Sequence, residues 1–207
     1  MIVPTSIQAT PASQRIRQLL ETTYQERNLV RVPAGQVIPQ PQDEVWIVCR
    51  GVVTLSTTYE SGDEALLGLV GPGMPFGRDL SLVDPYYAAA LTPVDLMRLK
   101  WVEIEQSPSL ARELMRAVSH RLRQSEALLA LAGQRRVEDR LREFIGLLGQ
   151  EFGLSTPQGT RLGVRLTHQH LANALGTTRV TVTRLLGQFK QEGWLSVDAE
   201  RHMLLHG

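Results

Sequence analysis

Between Thr167 and Leu186 the apolar residues recur at spacings that suit two short helices joined by a tight turn. Leu171 and Leu175 share one face of a first helix, and Val182 and Leu185 share one face of a second. Two helices that cross steeply need a small residue where they touch, which Ala172 supplies. They also need a glycine in the turn, which Gly176 supplies. Thr167 and Thr178 stand where the two N-caps are required. The spacing therefore predicts a helix-turn-helix whose second helix covers 178–190.

Packing leaves Arg179, Val180, Thr183 and Arg184 on the outer face of that second helix, with Thr181 near its start. A run of β-branched residues is a poor choice for a helix that only meets water. It suits a surface entering a major groove, where arginine pairs with guanine and the methyls of threonine and valine meet thymine. The alternative is a plain helical hairpin with a basic face. Candidate DNA contacts are Thr167, His168 and Gln169 on the first helix, and Thr178, Arg179, Val180, Thr181, Thr183 and Arg184 on the second. Arg184 is expected to reach a base edge and Arg179, beside the cap, a phosphate. His168 and His170, two apart, point in different directions on a helix, so capping or phosphate contact is expected rather than a metal site. After Gly193, 194–197 and 202–205 read as the hairpin of a winged variant.

Upstream the texture differs. Short β-rich runs at 29–32, 45–48, 52–55, 65–70 and 94–99 are separated by Pro, Gly, Asp and Ser clusters, the pattern of an antiparallel sandwich or roll. A short helix is expected over Gln14 to Tyr24. From Ser109 the period becomes helical: Leu110, Leu114, Val118, Arg121, Leu122, Ser125 and Leu129 lie on one stripe extending to Ala132. That stripe predicts a dimerisation helix over 109–132, because no other cover for it is apparent. A second amphipathic helix follows through Val137, Leu141, Phe144, Leu148 and Phe152, closed by Gly153, and a short strand is expected over Arg161 to Leu166. The expected class is α+β, divided as 1–108 roll, 109–132 helix and 133–207 winged helix-turn-helix.

Charge separates the same parts. Residues 1–132 hold 12 Lys and Arg against 14 Asp and Glu, whereas residues 133–207 hold 10 against 7. The basic excess is C-terminal, where a polyanionic partner would be met. A single cysteine, Cys49, excludes an intrachain disulfide and reads as a structural thiol in an apolar strand. No apolar run is long enough for a membrane span and Met1 to Pro11 lacks a signal-peptide pattern, so a cytoplasmic protein with no membrane contact is expected. No histidine precedes His120, which argues against a metal enzyme on the roll, and no catalytic motif is present. No metal and no cofactor are expected. Arg121 is the odd residue on an apolar stripe: a ligand or switch role and an intersubunit ion pair both remain open.

A roll, a long helix and a winged helix-turn-helix in this order resemble the catabolite activator/FNR superfamily of bacterial transcription regulators. The stretch from Thr178 to Gly187, with Phe76-Gly77, Leu80-Ser81-Leu82, Thr92 to Leu96 and Phe152-Gly153, is most similar to the cyanobacterial global nitrogen regulators. The resemblance implies a cyclic-nucleotide-binding-like roll and a homodimer on palindromic double-stranded DNA, with RNA polymerase as a further partner. It implies a GTA half-site with its TAC complement, and poor reading of the TGTGA-type operator of catabolite activators, since Val180 stands where they place a glutamate. It also implies an effector pocket at Phe76, Gly77, Arg78, Arg121 and Ser125. Where cyclic-nucleotide sensors carry a phosphate-binding arginine, this chain has Tyr86 to Ala90, and where the nitrogen regulators carry a second arginine it has Pro85. Neither cyclic AMP nor 2-oxoglutarate is then the expected effector, and activity set by protein level is the simplest scheme. A ligand-sensing or interaction module without sequence-specific DNA binding is the alternative function.

Overall fold

The computed structural model describes residues 28–206, which form two compact units divided after Ala127. The helix expected over Gln14 to Tyr24 lies outside the described residues.

The first unit is an antiparallel β-roll. Strands β1 (Val30–Val32), β2 (Glu44–Arg50), β5 (Pro75–Phe76) and β7 (Val94–Lys100) form one sheet in the order β1-β7-β2-β5. Strands β3 (Val53–Thr58), β4 (Glu64–Val70) and β6 (Tyr87–Ala90) form a second in the order β4-β3-β6. Trp46, Val48, Leu96 and Phe76 from the first sheet meet Val53, Leu55, Val70 and Ala88 from the second in one buried cluster. The alternate residues of β2 and β7, Val45, Ile47, Met97 and Leu99, face the other way into a second cluster. Both faces of β2 are thus covered, which is why 45–48 is continuously apolar instead of alternating.

That second cluster is closed by helices. α1 (Trp101–Glu105) contributes Ile104, and α2 (Pro108–Ala132) contributes Leu110, Leu114 and Ala117. Leu110 is 1% exposed and Leu114 4%. These two residues were expected at the dimer interface, and the fold corrects that: they are consumed by the chain's own core and have no surface to offer a partner. Val118 is partly buried against the same cluster. Cys49 is also only partly buried there. Met115, Leu122 and Leu129 are exposed on another face of α2.

The second unit holds α3 (Val137–Phe152), a four-stranded sheet and two further helices, α4 (His168–Leu175) and α5 (Arg179–Gln191). Leu141, Phe144, Ile145, Leu148 and Phe152 form the buried face of α3. Gly153 ends α3 in an extended conformation (φ −77°, ψ 145°), not a left-handed one, and opens strand β8 (Gly153–Thr156) directly. β8 pairs with β9 (Gly159–Leu162), and β9 with β11 (Met203–Leu205), which pairs with β10 (Leu195–Val197). The wing is therefore the outer hairpin of a four-stranded sheet, and the strand expected over 161–166 ends at Leu162.

Candidate nucleic-acid interface and roll cavity

Local chemistry fixes both helices of the expected motif. The Thr167 hydroxyl accepts from the His170 amide at 3.1 Å, and the His170 ring Nδ1 accepts in return from the Thr167 amide at 3.4 Å. The Thr178 hydroxyl accepts from the Thr181 amide at 3.2 Å. Each threonine satisfies an amide that would otherwise be orphaned at a helix start. Gly176 ends α4 in the left-handed region at φ 58°, ψ 46°, where a side chain is strained. Leu171, Ala172, Leu175, Val182 and Leu185 are all buried, as the spacing required.

The far end of α5 is locked by two devices that the sequence did not announce. Gly193 (φ 74°) donates to the Lys190 carbonyl and Trp194 to the Phe189 carbonyl, the paired bonds of a Schellman ending. Trp194 packs edge-on against Phe189 with ring centroids 5.2 Å apart. Arg142 of α3 lies over both rings, 4.2 Å from the Phe189 centroid and 4.7 Å from that of Trp194, and pairs with Glu192 at 2.5 Å. The arginine and a hydrogen bond from Gln188 hold the Glu192 carboxyl below the usual carboxylate range. In the wing, Arg161 bonds Asp198 and Glu200, each at 2.6 Å. Burial pushes the Asp198 carboxyl up, but Arg161 and the His202 amide outweigh it and leave it lowered.

α5 presents Arg179, Val180, Thr183, Arg184 and Gly187 to solvent, with Thr181 partly exposed and Lys190 and Gln191 exposed at its far end. Val180 is 78% exposed, an unusual position for valine. The Thr183 hydroxyl donates to the Arg179 carbonyl at 2.8 Å and lies 2.7 Å from His168 Nδ1. With its hydrogen given to the carbonyl, Thr183 accepts from an Nδ1-protonated His168. Burial, then the charges of Arg179 and Lys190, keep the His168 pKa below its usual value. On α4, Gln169 is exposed and bonded to Asn173 at 2.6 Å. Among the described residues no group of three or more His, Cys, Asp or Glu is placed to hold a metal.

Within the roll unit a cavity of about 390 Å³ opens between the strands and α2. Of the expected effector residues, Phe76, Arg121 and Ser125 line it. Gly77 and Arg78 do not line it, and Arg78 is instead drawn to Asp84 at 3.3 Å on the surface. Tyr86, Leu67 and Val83, which the sequence did not single out, complete much of the wall. Burial raises the Tyr86 phenol, opposed by the Arg121 charge and a hydrogen bond from the Gly77 backbone. Arg121 Nη1 donates to Gln124 Oε1 at 2.6 Å and reaches the Leu69 carbonyl at 3.5 Å. A side chain at Gly68 would meet that guanidinium, since a Cβ there would lie 2.7 Å from Nη1.

A unit of three helices and a four-stranded sheet that displays the outer face of a capped helix, following a β-roll, defines a class of DNA-binding regulators. Comparison with known proteins agrees with it. A family described as the Crp-like helix-turn-helix domain matches residues 122–206. The global nitrogen regulator of Synechocystis is 34% identical over 171 residues, covering 78% of this chain and 76% of that protein. The regulatory protein CysR of Synechococcus elongatus is 35% identical over 195 residues, covering 93% and 84%. A CRP/FNR-family transcriptional regulator from Thermus thermophilus superposes with a TM-score of 0.69 at 29% identity, covering 86% of this chain and 93% of that one. The chain belongs to the CRP/FNR family of transcription regulators and carries that family's helix-turn-helix DNA-binding domain. Its relatives are regulators, not enzymes. No helix among the described residues is long and apolar enough to cross a membrane.

Proposed function

We propose that this chain acts in the cytoplasm as a homodimer that reads a palindromic site through α5 and recruits RNA polymerase, under control of a small molecule in the roll cavity. The observation that carries the DNA reading is the solvent-facing row Arg179, Val180, Thr183 and Arg184 on a helix whose opposite face is buried and whose ends are both locked. Two such helices related by a dyad enter successive major grooves, which gives half-sites about 10–11 bp apart.

The division of labour between the two arginines follows from the capped helix start. Arg179 is the first residue of α5, and recognition helices dock with their N-terminal residues against base edges. That favours Arg179 over Arg184 as the guanine reader, with Val180 beside it for a thymine methyl, and reverses the expectation from sequence alone. Arg184, more than a turn further on, then serves the backbone or a neighbouring base. The proposed half-site remains GTA with its TAC complement.

Dimerisation is assigned to the exposed side of α2. Met115, Val118, Leu122, Ser125 and Leu129 recur at alternating three- and four-residue steps, the seam of a two-stranded coil. Val118, Arg121, Leu122 and Ser125 also line the cavity, so a bound molecule touches the helix that pairs the protomers. That shared turn favours effector control over activity set by protein level alone.

Binding isotherms on matched and single-base-changed duplexes at two salt concentrations test the reading. Arg179→Ala should cost about 1–3 kcal/mol and relax preference at the guanine. Arg184→Ala should weaken all sequences more evenly and lower the salt slope by about one contact per half-site. Uniform loss from Arg179→Ala, with altered base preference from Arg184→Ala, would reverse the docking. Equal affinity of the unmodified chain for every duplex would remove the sequence-specific reading altogether.

A further inference from the structure

The first residue of α4 is a histidine whose hydrogen is assigned by its neighbours. Thr183 gives its own hydrogen to the Arg179 carbonyl, so it meets His168 Nδ1, 2.7 Å away, as an acceptor. Nδ1 must then carry the ring's hydrogen, and in the neutral ring Nε2 is left with a bare lone pair. Among the described residues Nε2 has no hydrogen-bond partner. The ring stands on the first helix of the motif, the one that crosses the DNA backbone while the second lies in the groove.

A phosphate oxygen only accepts, so it cannot pair with a bare Nε2. Contact requires a second proton on the ring. In the free chain that proton is held off, because the ring is half-buried and the charges acting on it, Arg179 and Lys190 of α5, are both positive. On α4 itself the nearest titratable neighbour is His170, whose Nδ1 is engaged with the Thr167 amide. None of these groups supplies a negative charge. A DNA phosphate does, and it offsets the two cations as well.

We propose that His168 is a proton-coupled phosphate contact: as DNA binds, Nε2 takes one proton from solvent per protomer and donates it to a backbone oxygen, so affinity for DNA rises as pH falls. This rests on the proposed docking of α5 and adds a pH dependence to it. Folding runs the other way, since the free folded chain disfavours the charged ring, so tighter binding in acid is not a gain in stability.

Binding isotherms on matched and scrambled duplexes between about pH 8 and about pH 6.5, at one fixed ionic strength, test it. Affinity should rise about threefold per ring over that range, and so about tenfold for a dimer. Calorimetry in two buffers of different ionisation enthalpy should count a net uptake of protons on binding. His168→Gln should remove both the slope and the uptake, and His168→Lys, charged throughout, should bind tightly without a slope. Flat affinity in the unsubstituted chain overturns the proposal without recourse to any variant, as does an undiminished slope in His168→Gln. Weaker binding in acid overturns it in favour of a neutral Nε2 that accepts from a base amino group. Equal affinity for matched and scrambled duplexes, with the slope intact, overturns the sequence-specific reading and leaves the phosphate contact standing. Absence of binding to every duplex overturns both.

Discussion

Leu122→Glu separates the two faces of α2. Leu122 is 58% exposed in the single chain, whereas Leu114, two turns earlier, is 4% exposed. Full burial of a leucine side chain contributes about 1.5–3 kcal/mol, so covering the open portion of Leu122 is worth roughly 1–1.7 kcal/mol per protomer. A two-fold seam counts it twice, which makes roughly 2–3.5 kcal/mol, or about 30- to 300-fold in the dimer dissociation constant. Two glutamates facing each other across the dyad add desolvation and like-charge repulsion, so this range is a lower bound. Sedimentation or light scattering should find a monomer for Leu122→Glu at concentrations where the unsubstituted chain is a dimer. Its unfolding midpoint at fixed low concentration should barely move, because the side chain is not part of the core. Leu114→Ala should do the opposite, costing about 2–5 kcal/mol of stability while the folded fraction stays dimeric. An unchanged dimer constant for Leu122→Glu, or dissociation without destabilisation in Leu114→Ala, would refute the assignment of faces.

Gly176→Ala should destabilise the second unit by about 1–2 kcal/mol in denaturant titrations, through backbone strain alone, since nothing lies within 4 Å of the added methyl. Asn at the same position should lose less. Thr178→Ala should lower stability by about 0.5–2 kcal/mol, and Thr178→Asp should restore the cap yet weaken DNA binding by setting a carboxylate beside phosphates. His168 has a folded-state pKa below its unfolded value of about 6.5. The unfolded chain therefore takes up the proton first, and stability should fall as pH drops from about 6.5 toward the folded pKa, a slope that His168→Gln should remove from pH-dependent unfolding curves. Arg142→Ala should cost about 1–2 kcal/mol by exposing the Phe189–Trp194 pair, and lysine should not fully restore it because an ammonium lacks the planar stacking surface.

The helix-turn-helix was legible because every signal for it is local. Caps, the turn glycine and inward offsets all lie within twenty residues, and each has one structural meaning there. Two roll strands were not legible for the opposite reason. β5 has only two residues, and β6 is largely alanine, with no β-branched signature. Ala88 and Ala90 become strand residues because β3 offers Leu55 and Val53 as partners, and both alanines are buried in the cluster between the sheets. β8 was missed because it starts on the residue that ends α3, so no turn marks it. A Cβ at Gly153 would lie 2.1 Å from the Gly149 carbonyl oxygen, and that close passage lets the chain switch from helix to strand without a loop.

The long helix shows what periodicity cannot supply. A stripe at three- and four-residue steps says that a helix is covered and nothing about what covers it. In α2 two stripes overlap: Leu110, Leu114 and Ala117 follow the roll, while Met115, Leu122 and Leu129 repeat at seven-residue intervals on the open side. Read as one stripe they imply a single interface, and Leu110 and Leu114 are assigned to it wrongly. Met115 is passed over because it belongs to the second. Arg121 sits between the two, where neither stripe needs a hydrocarbon, and from sequence it looks like an intrusion on an apolar seam. The fold gives it a wall of its own: Gly68 makes the space, Gln124 holds the guanidinium, and Val118, Leu122 and Ser125 carry the cavity toward the seam. A charge that looked anomalous on one face lines the proposed effector cavity beside Val118, Leu122 and Ser125 of the proposed seam, so its substitution should be read by binding and by association together.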